Sequence, residues 1–218
     1  MKLVCGPPDD LKSVEVVVPH GRRIAFLLSG GADSAILLYM ACLELLATKR
    51  NPVDEFQHIL TIPKGTDGPH LHSFKIVNWI NDRLNIRLNE PLIAAPADIE
   101  ETHHADVIAR SIVYYRNELN LNYSFLADQQ AVPLPDIVQG LYPVRPSVNP
   151  YPDYFHMPFL NVNKSHTIDL HYRLGTEQLL QISHSCTEKR IGRCLQCYHC
   201  NERKWAFEKL QKIDPGEN

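Results

Sequence analysis

The stretch Leu27-Leu28-Ser29-Gly30-Gly31-Ala32-Asp33-Ser34 constrains this chain more than any other. It follows an apolar run, Arg23 to Leu28, that reads as a buried strand. It precedes Ala35 to Ala47, which reads as an apolar helix. Two glycines let the backbone turn sharply and bring its N–H groups close to an anion. The helix that follows aims its positive dipole end at the same place. Ser29 and Ser34 add hydroxyl donors, and Asp33 adds a carboxylate suited to holding Mg²⁺ against phosphate oxygens. No Lys follows the glycines, so the stretch is not the loop of phosphate-cleaving NTPases, and it lacks the GxGxxG spacing of a dinucleotide fingerprint. A turn that merely joins strand to helix is the alternative.

The rest of the chain reads as repeated strand–helix units. The first helix runs to about Lys49 and ends at Asn51-Pro52. Phe56 to Ile62 reads as a second strand, Pro63 to Pro69 as a turn-rich loop, and Leu71 to Leu84 as a helix. Asn89 to Ala95 reads as a short strand, Asp98 to Leu121 as a long helix, and Asn122 to Ala127 as a fourth strand ending at Asp128. This βαβαβαβ order predicts an α/β fold, a Rossmann-like parallel sheet flanked by helices. In such sheets ligands sit beyond the carboxyl ends of the strands. The Ser29–Ser34 loop, the Pro63–Pro69 loop and Asp128 all fall on that edge. Ser13 to Val18 reads as an extra strand on the sheet edge. Residues 131–160 carry seven prolines and read as a cover over the nucleotide edge, or else as a surface insertion without ligand contact. Asn163-Lys164-Ser165-His166 opens a helix to about Leu174 with Gly175 as its C-cap, and Thr176 to Ile182 forms a short helix. By position alone Lys164 reads as a solvated surface lysine.

The bulk composition excludes several classes. The 218 residues are 44% hydrophobic and 22% charged, ordinary for a globular protein. A net charge of −3 gives no global basic field for nucleic acid. No stretch is long enough to span a membrane, and the N-terminus does not have the pattern of a signal peptide, so a cytoplasmic protein is expected.

Cys186, Cys194, Cys197 and Cys200 give the spacing C-x7-C-x2-C-x2-C. Four thiolates make a closed tetrahedral site, the pattern of structural Zn²⁺. The competing readings are an iron–sulfur cluster, a redox dithiol and unligated thiols. Arg190, Arg193, Arg203 and Lys204 flank the cysteines and are expected to offset their charge. The domain reading is therefore 1–183 for the α/β unit and 184–218 for a small C-terminal zinc-binding element with its helix.

The Ser-Gly-Gly-x-Asp-Ser pattern resembles the PP-loop of the ATP pyrophosphatases, which cut ATP between the α and β phosphates and adenylate a substrate. Loop and cysteines together resemble the 7-cyano-7-deazaguanine synthase (QueC) family. Tyr151-Pro152-Asp153 is similar to the family's Gly-Tyr-Pro-Asp stretch, and Pro158-Phe159-Leu160-Asn161-Val162-Asn163-Lys164 to its Pro-Leu-Ile-Asp-Leu-Ser-Lys stretch. Ser185-Cys186 through Arg203, with Ala206-Phe207, is similar to its four-cysteine tail. The chain differs where the family has Tyr-Gly-Gln, reading Ile62-Pro63-Lys64-Gly65, and Arg116-Asn117 is the nearest match to an Arg-Asn element.

The resemblance implies an adenine nucleotide alpha hydrolase-like fold and a reaction in which ATP and ammonia convert 7-carboxy-7-deazaguanine to its amide and then its nitrile. It implies ATP contacts from Leu28, Ser29, Gly30, Gly31, Asp33 and Ser34, and catalytic roles for Asp33 and Lys164. Substrate contacts would fall to Asp128, Tyr151 and Asp153, with Mg²⁺ and Zn²⁺ as metals and a homodimer as the assembly. No glutaminase domain fits in this length, so ammonia is expected free or from a partner. The alternatives are a PP-loop enzyme of tRNA modification, or another acceptor, and a catalytically silent nucleotide-binding zinc protein. Thiolation needs a catalytic cysteine, and Cys42, on the first helix, reads as a buried hydrophobe.

Overall fold

The computed structural model describes residues 1–21, 23–61, 69–93, 123–126, 153–186, 188–189 and 192–216. Its centre is a parallel sheet of β3 (Arg23–Leu27), β4 (Phe56–Thr61), β5 (Leu92–Ile93), β6 (Tyr123–Leu126) and β7 (Phe155–His156). Among the described residues the strand order is β5-β4-β3-β6-β7. Every pairing in it is parallel, from Leu60 opposite Leu92 at one side to Phe125 opposite Phe155 at the other. The expected α/β class and parallel sheet are thus present. β3 is central and buried from Ile24 to Leu27, as its unbroken apolar run requires of a strand covered on both faces. Phe26 meets Phe56 edge to face, with ring centroids 5.8 Å apart.

Helix α1 (Ala32–Ala47) follows β3 and is buried over most of its surface, including Ile36, Leu37, Leu38, Met40 and Leu45. A helix apolar on nearly all sides must be enclosed. It packs against the short α2 (Pro52–Glu55), α3 (Pro69–Leu84), α4 (Lys164–Arg173) and α5 (Glu177–Ile182). The helix opens at Ala32 rather than at Ala35, because Gly31 is its extended N-cap. Asp33 and Ser34 therefore sit in its first turn, not in the loop. Asn51-Pro52 does not simply end a helix. The Asn51 side chain accepts from the Val53 N–H, and Pro52, with no N–H to lose, starts α2.

Two further expectations need correction. The N-terminal strand is β2 (Lys12–Glu15), and it pairs antiparallel with β1 (Lys2–Cys5) in a separate two-stranded sheet, not with the main sheet's edge. Gly6, at φ +116°, turns the chain after β1, and its N–H donates to Asp169 of α4, which fixes the hairpin on that helix. The Pro-rich segment 131–160 is also not loop throughout. Phe155 and His156 form β7 on the free side of β6. Phe155 and Phe159 are buried, so apolar burial holds this short strand despite the surrounding prolines. The remainder of that segment through 152, the Pro63–Pro69 loop up to 68, the Asp98–Leu121 helix, Arg116-Asn117, Asp128 and Tyr151 lie outside the described residues.

Helices α4 and α5 and the C-terminal helix α6 (Tyr198–Lys209) close one side of the domain. Ala32, Ile168, Leu180, Ala206 and Phe207 form a small core shared by α1, α4, α5 and α6. α4 begins with a capping box: Asn163 accepts from the Ser165 N–H, and the His166 side chain returns to the Asn163 backbone. Gly175, at φ +62°, follows the end of α4 as expected. No helix among the described residues is long and apolar enough to cross a membrane.

Candidate active site and metal centre

The Ser29–Ser34 loop is held from behind by ordinary sheet chemistry. The Leu28 N–H donates to the Leu60 carbonyl at 2.8 Å, and the Leu28 carbonyl accepts from Ser73 Oγ at 3.0 Å. Ser73 Oγ in turn lies 2.9 Å from Thr61 Oγ1. Leu28 is itself buried, so it supports the loop with its backbone. Gly30 has φ +80°, a conformation that favours glycine. A Cβ on Gly31 would lie 3.3 Å from Ser29 Oγ, inside the room the serine needs. Ser29 Oγ and Ser34 Oγ are 3.0 Å apart, and Ser29 Oγ also accepts from the Gly31 N–H at 3.3 Å. The Gly30 carbonyl accepts from the His184 N–H at 2.9 Å, which binds the loop to the segment leading into the cysteines. Gly31 offers no side chain to the first-turn N–H groups of α1. That leaves a sixteen-residue helix with its dipole aimed at the loop, an arrangement suited to phosphate.

Asp33 joins α1 to α4. One carboxylate oxygen accepts from Thr167 Oγ1 of α4 at 2.6 Å, and the other is ion-paired with Lys164 Nζ. Lys164 is 3% exposed, so it is not a solvated surface residue. Its Nζ also stands 3.7 Å from Glu202 of α6, a carboxylate that is 1% exposed and accepts from Tyr198 Oη at 3.1 Å. A buried cation persists only when paired, and here two carboxylates from different helices supply the pairing. Asp153 lies in the turn before β7 and is exposed. The structure therefore brings Ser29, Gly30, Gly31, Asp33, Ser34 and Lys164 together.

Thr167, Glu202, Tyr198 and Ser73 were not singled out from the sequence. Glu202 carried a signal: Tyr198, Glu202 and Ala206 recur every four residues on one buried face of α6, and an acidic residue in such a stripe implies a buried partner. His171 of α4 is a further support. Its Nε2 donates to the Ala32 carbonyl at 3.1 Å and its Nδ1 lies 3.1 Å from Thr176 Oγ1. Full burial pushes its pKa down to about 4, so it is neutral where most enzymes work.

The four cysteines converge. Their sulfurs all lie within 4.8 Å of one another. Four ligands at the ~2.3 Å of a Zn–thiolate bond stand about 3.8 Å apart at tetrahedral angles. Cys194 and Cys200 sulfurs are 3.9 Å apart, so the donor set fits a tetrahedral thiophilic ion. Cys197 is the N-cap of α6 and Cys200 is in its first turn. Burial tends to raise the Cys194 thiol. The Gln196 and Cys197 N–H groups and neighbouring thiols outweigh it and bring Cys194 down to about 7. Its sulfur accepts from those N–H groups at 3.5 and 3.2 Å. An ion bound here would supply structural closure, tying the 186–197 segment to the first turn of α6.

The expected role of the surrounding cations needs correction. Arg203 is buried and its guanidinium makes a two-pronged contact with Asp214, at 2.8 and 2.9 Å, with further bonds to Ser183 Oγ and the Leu180 carbonyl. Arg193 pairs with the same carboxylate at 2.6 Å. Lys204 is exposed and faces Glu208. The direct partner of both arginines is therefore Asp214, because a planar guanidinium matches a carboxylate better than a diffuse thiolate. Arg190 lies outside the described residues. Cys5 and Cys42 are both buried: burial, and next Asp169, push Cys5 up to about 12, and burial pushes Cys42 higher.

No curated protein matches the chain in sequence. Among solved structures, the chain is similar to the U34-tRNA thiolase NcsA from Methanococcus maripaludis with its 4Fe-4S cluster. The two are 12% identical over 89% of this chain and 71% of that one, with a TM-score of 0.48. It is similar to an NH3-dependent NAD synthetase from Campylobacter jejuni in complex with nitrate, at 15% identity over 72% and 66% of the two chains and a TM-score of 0.43. It is likewise similar to the NAD+ synthetase from Burkholderia pseudomallei, at 15% identity over 88% and 82% and a TM-score of 0.39. These are distant likenesses. The stretch that holds Lys164, Glu202 and all four cysteines, residues 150–211, matches the family model of the queuosine biosynthesis protein QueC, and the resemblance to the QueC family is borne out there.

Proposed function

We propose that this protein is an ATP-using PP-loop enzyme that adenylates a carboxylate and replaces its oxygens with nitrogen, making 7-cyano-7-deazaguanine from 7-carboxy-7-deazaguanine and ammonia. The observation that carries the reading is the buried Lys164 ion-paired with Asp33 in the first turn of α1, directly after the glycine loop. The family match over residues 150–211 supports it independently.

A carboxylate is a poor electrophile. In the proposed reaction its oxygen attacks the α phosphorus of ATP, pyrophosphate leaves, and ammonia then displaces AMP to give the amide. A second ATP adenylates the amide oxygen, and loss of AMP with the amide protons gives the nitrile. The uncapped N–H groups of α1 and the loop would cradle the phosphates. Asp33 would hold Mg²⁺, whose chemistry is to neutralise phosphate charge. Lys164 Nζ would turn from Asp33 toward the phosphate oxygens as charge develops on them. Asp128, Tyr151 and Asp153 are proposed for the deazapurine, and the active form is proposed to be a homodimer. Thiolation of RNA is less well supported, because neither Cys5 nor Cys42 is placed to present a thiolate.

The test is a product assay by mass spectrometry with Mg²⁺-ATP, ammonium and the deazaguanine carboxylate. AMP, pyrophosphate and the nitrile are expected. AMP without nitrile would retain the adenylation and replace the acceptor. ADP, or no turnover, would overturn the reading.

A further inference from the structure

We propose that Glu202 is a positioning residue for Lys164, so that the helix carrying the last two cysteines sets the geometry of the nucleotide site. The inference rests on the reading of Lys164 as the phosphate-facing cation. It concerns a contact that neither the loop motif nor the cysteine spacing contains.

α6 presents two kinds of group within two turns. Cys197 and Cys200 face the cysteine cluster, while Tyr198 and Glu202 face α4. The Glu202 carboxylate is oriented by Tyr198 Oη at 3.1 Å and reaches Lys164 Nζ at 3.7 Å. The next residue, Arg203, is fixed by Asp214, Ser183 and the Leu180 carbonyl, so the backbone beneath Glu202 has little freedom to shift. Lys164 thus lies between two carboxylates with different prospects. In the proposed reaction Asp33 is recruited to Mg²⁺, and its hold on the ammonium weakens. Glu202, buried on the far helix, is placed against the ammonium itself. It keeps the ammonium charged and aimed while Asp33 is engaged elsewhere. Opposite charge close by favours the charged form of a lysine, and a fixed direction is what a charge-stabilising group needs.

The test uses the full-length metal-loaded protein and reads the lysine directly. Lys164 is acylated with an amine-reactive ester and quantified by peptide mass spectrometry, with the exposed Lys204 as internal reference. In Glu202→Gln the expected result is a rise of severalfold in Lys164 labelling relative to Lys204, with metal stoichiometry and the far-ultraviolet circular dichroism spectrum unchanged. Tyr198→Phe removes only the orienting hydroxyl and should give a smaller rise in the same direction. Glu202→Asp should fall between Glu202→Gln and the parent. The kinetic counterpart is a fall in kcat for AMP release of about tenfold or more, with KM for ATP held within about twofold, because the loop still binds the phosphates. Unchanged Lys164 labelling in Glu202→Gln and Tyr198→Phe would overturn the positioning role. Raised labelling alongside unaltered AMP release would also overturn the positioning role, whereas AMP release retained in Lys164→Met would overturn the assignment of Lys164 to the reaction, so the two failures are separable.

Discussion

Four sulfurs within 4.8 Å of one another come from a single short segment, Cys186 to Cys200. Asp33, Lys164 and Glu202 come from three helices far apart in the chain. The first site needs local geometry and an ion. The second needs α1, α4 and α6 to be packed correctly before any of its contacts exist. α6 belongs to both, since it begins with two of the sulfurs and carries Glu202 in its second turn. A cysteine cluster that reads in the sequence as an appendage thereby shares a helix with the candidate nucleotide site. The contrast also separates two kinds of damage: losing Asp33 should cost chemistry first, with some stability through the buried Lys164 it pairs, while losing a sulfur should cost stability first.

The largest expected effect sharpens that separation. Asp33→Ala should abolish AMP release, by at least about a hundredfold, because it removes the carboxylate proposed to hold the Mg²⁺ that would neutralise phosphate charge. Metal content and helix content should remain those of the parent, and retained AMP release would remove Asp33 from the mechanism. Cys197→Ser should do the opposite. It takes one ligand and leaves the loop intact, so metal content measured by mass spectrometry should fall together with the melting midpoint, by about 10 °C or more. A metal-free variant with the parent's midpoint would break the comparison, since the cluster would then not hold α6 in place.

The unequal legibility of the two sites has the same cause. Four cysteines at fixed spacing require only that the chain between them be short, so their convergence could be read directly from the sequence. The apolar run of β3 and the near-continuous burial of α1 were legible for a similar reason, because hydrophobic patterning acts locally. β7 was not. Two paired residues inside a proline-rich stretch have no period to detect, and Phe155 is held by tertiary burial. The N-terminal hairpin was misplaced because a Val-rich run specifies a strand but not its partner. Lys164 looked like a surface lysine because helix starts favour polar residues, and its burial depends on where α4 and α6 dock. Arg193 and Arg203 looked like counter-charges for the sulfurs because they are neighbours in sequence, whereas their carboxylate partner, Asp214, lies beyond the end of α6.

Asp214 offers the next prediction, and it tests whether the cysteine element is braced by more than its metal. The carboxylate is largely removed from water, which alone would raise its pKa. The guanidinium of Arg203, and then that of Arg193, overcome this and hold it below the usual carboxylate range. Asp214→Asn would leave Arg203 buried with its charge uncompensated. Breaking one partner of such a pair costs about 3–5 kcal/mol, read from urea unfolding as a lower midpoint at unchanged slope. Metal content should persist, because none of the four sulfurs is touched. A change below about 1 kcal/mol would mean that water replaces the carboxylate and that the pair is peripheral.

The smallest expected effect concerns acid, and it acts on the side of the comparison that depends on helix packing. His171 joins α4 to α1 through the Ala32 carbonyl and is fully buried, which lowers its pKa from 6.5 to about 4. In the unfolded chain it takes up a proton below pH 6.5, whereas in the folded protein it does so only below about 4. Between those values the unfolded state binds more protons, so stability rises with pH there. The contribution is complete above pH 6.5 and declines progressively as pH falls toward 4. Integrated across the window it amounts to roughly 2–3 kcal/mol. Unfolding midpoints measured from pH 7 to pH 4.5, in the parent and in His171→Gln, isolate this residue from the carboxylates that also titrate in acid. The variant should lose stability at pH 7 through its imperfect fit between α1 and α4, but its pH slope between 6.5 and 4.5 should be shallower than the parent's. Equal slopes would assign the acid sensitivity to other groups, and His171 would then be a packing residue without a role in the pH response.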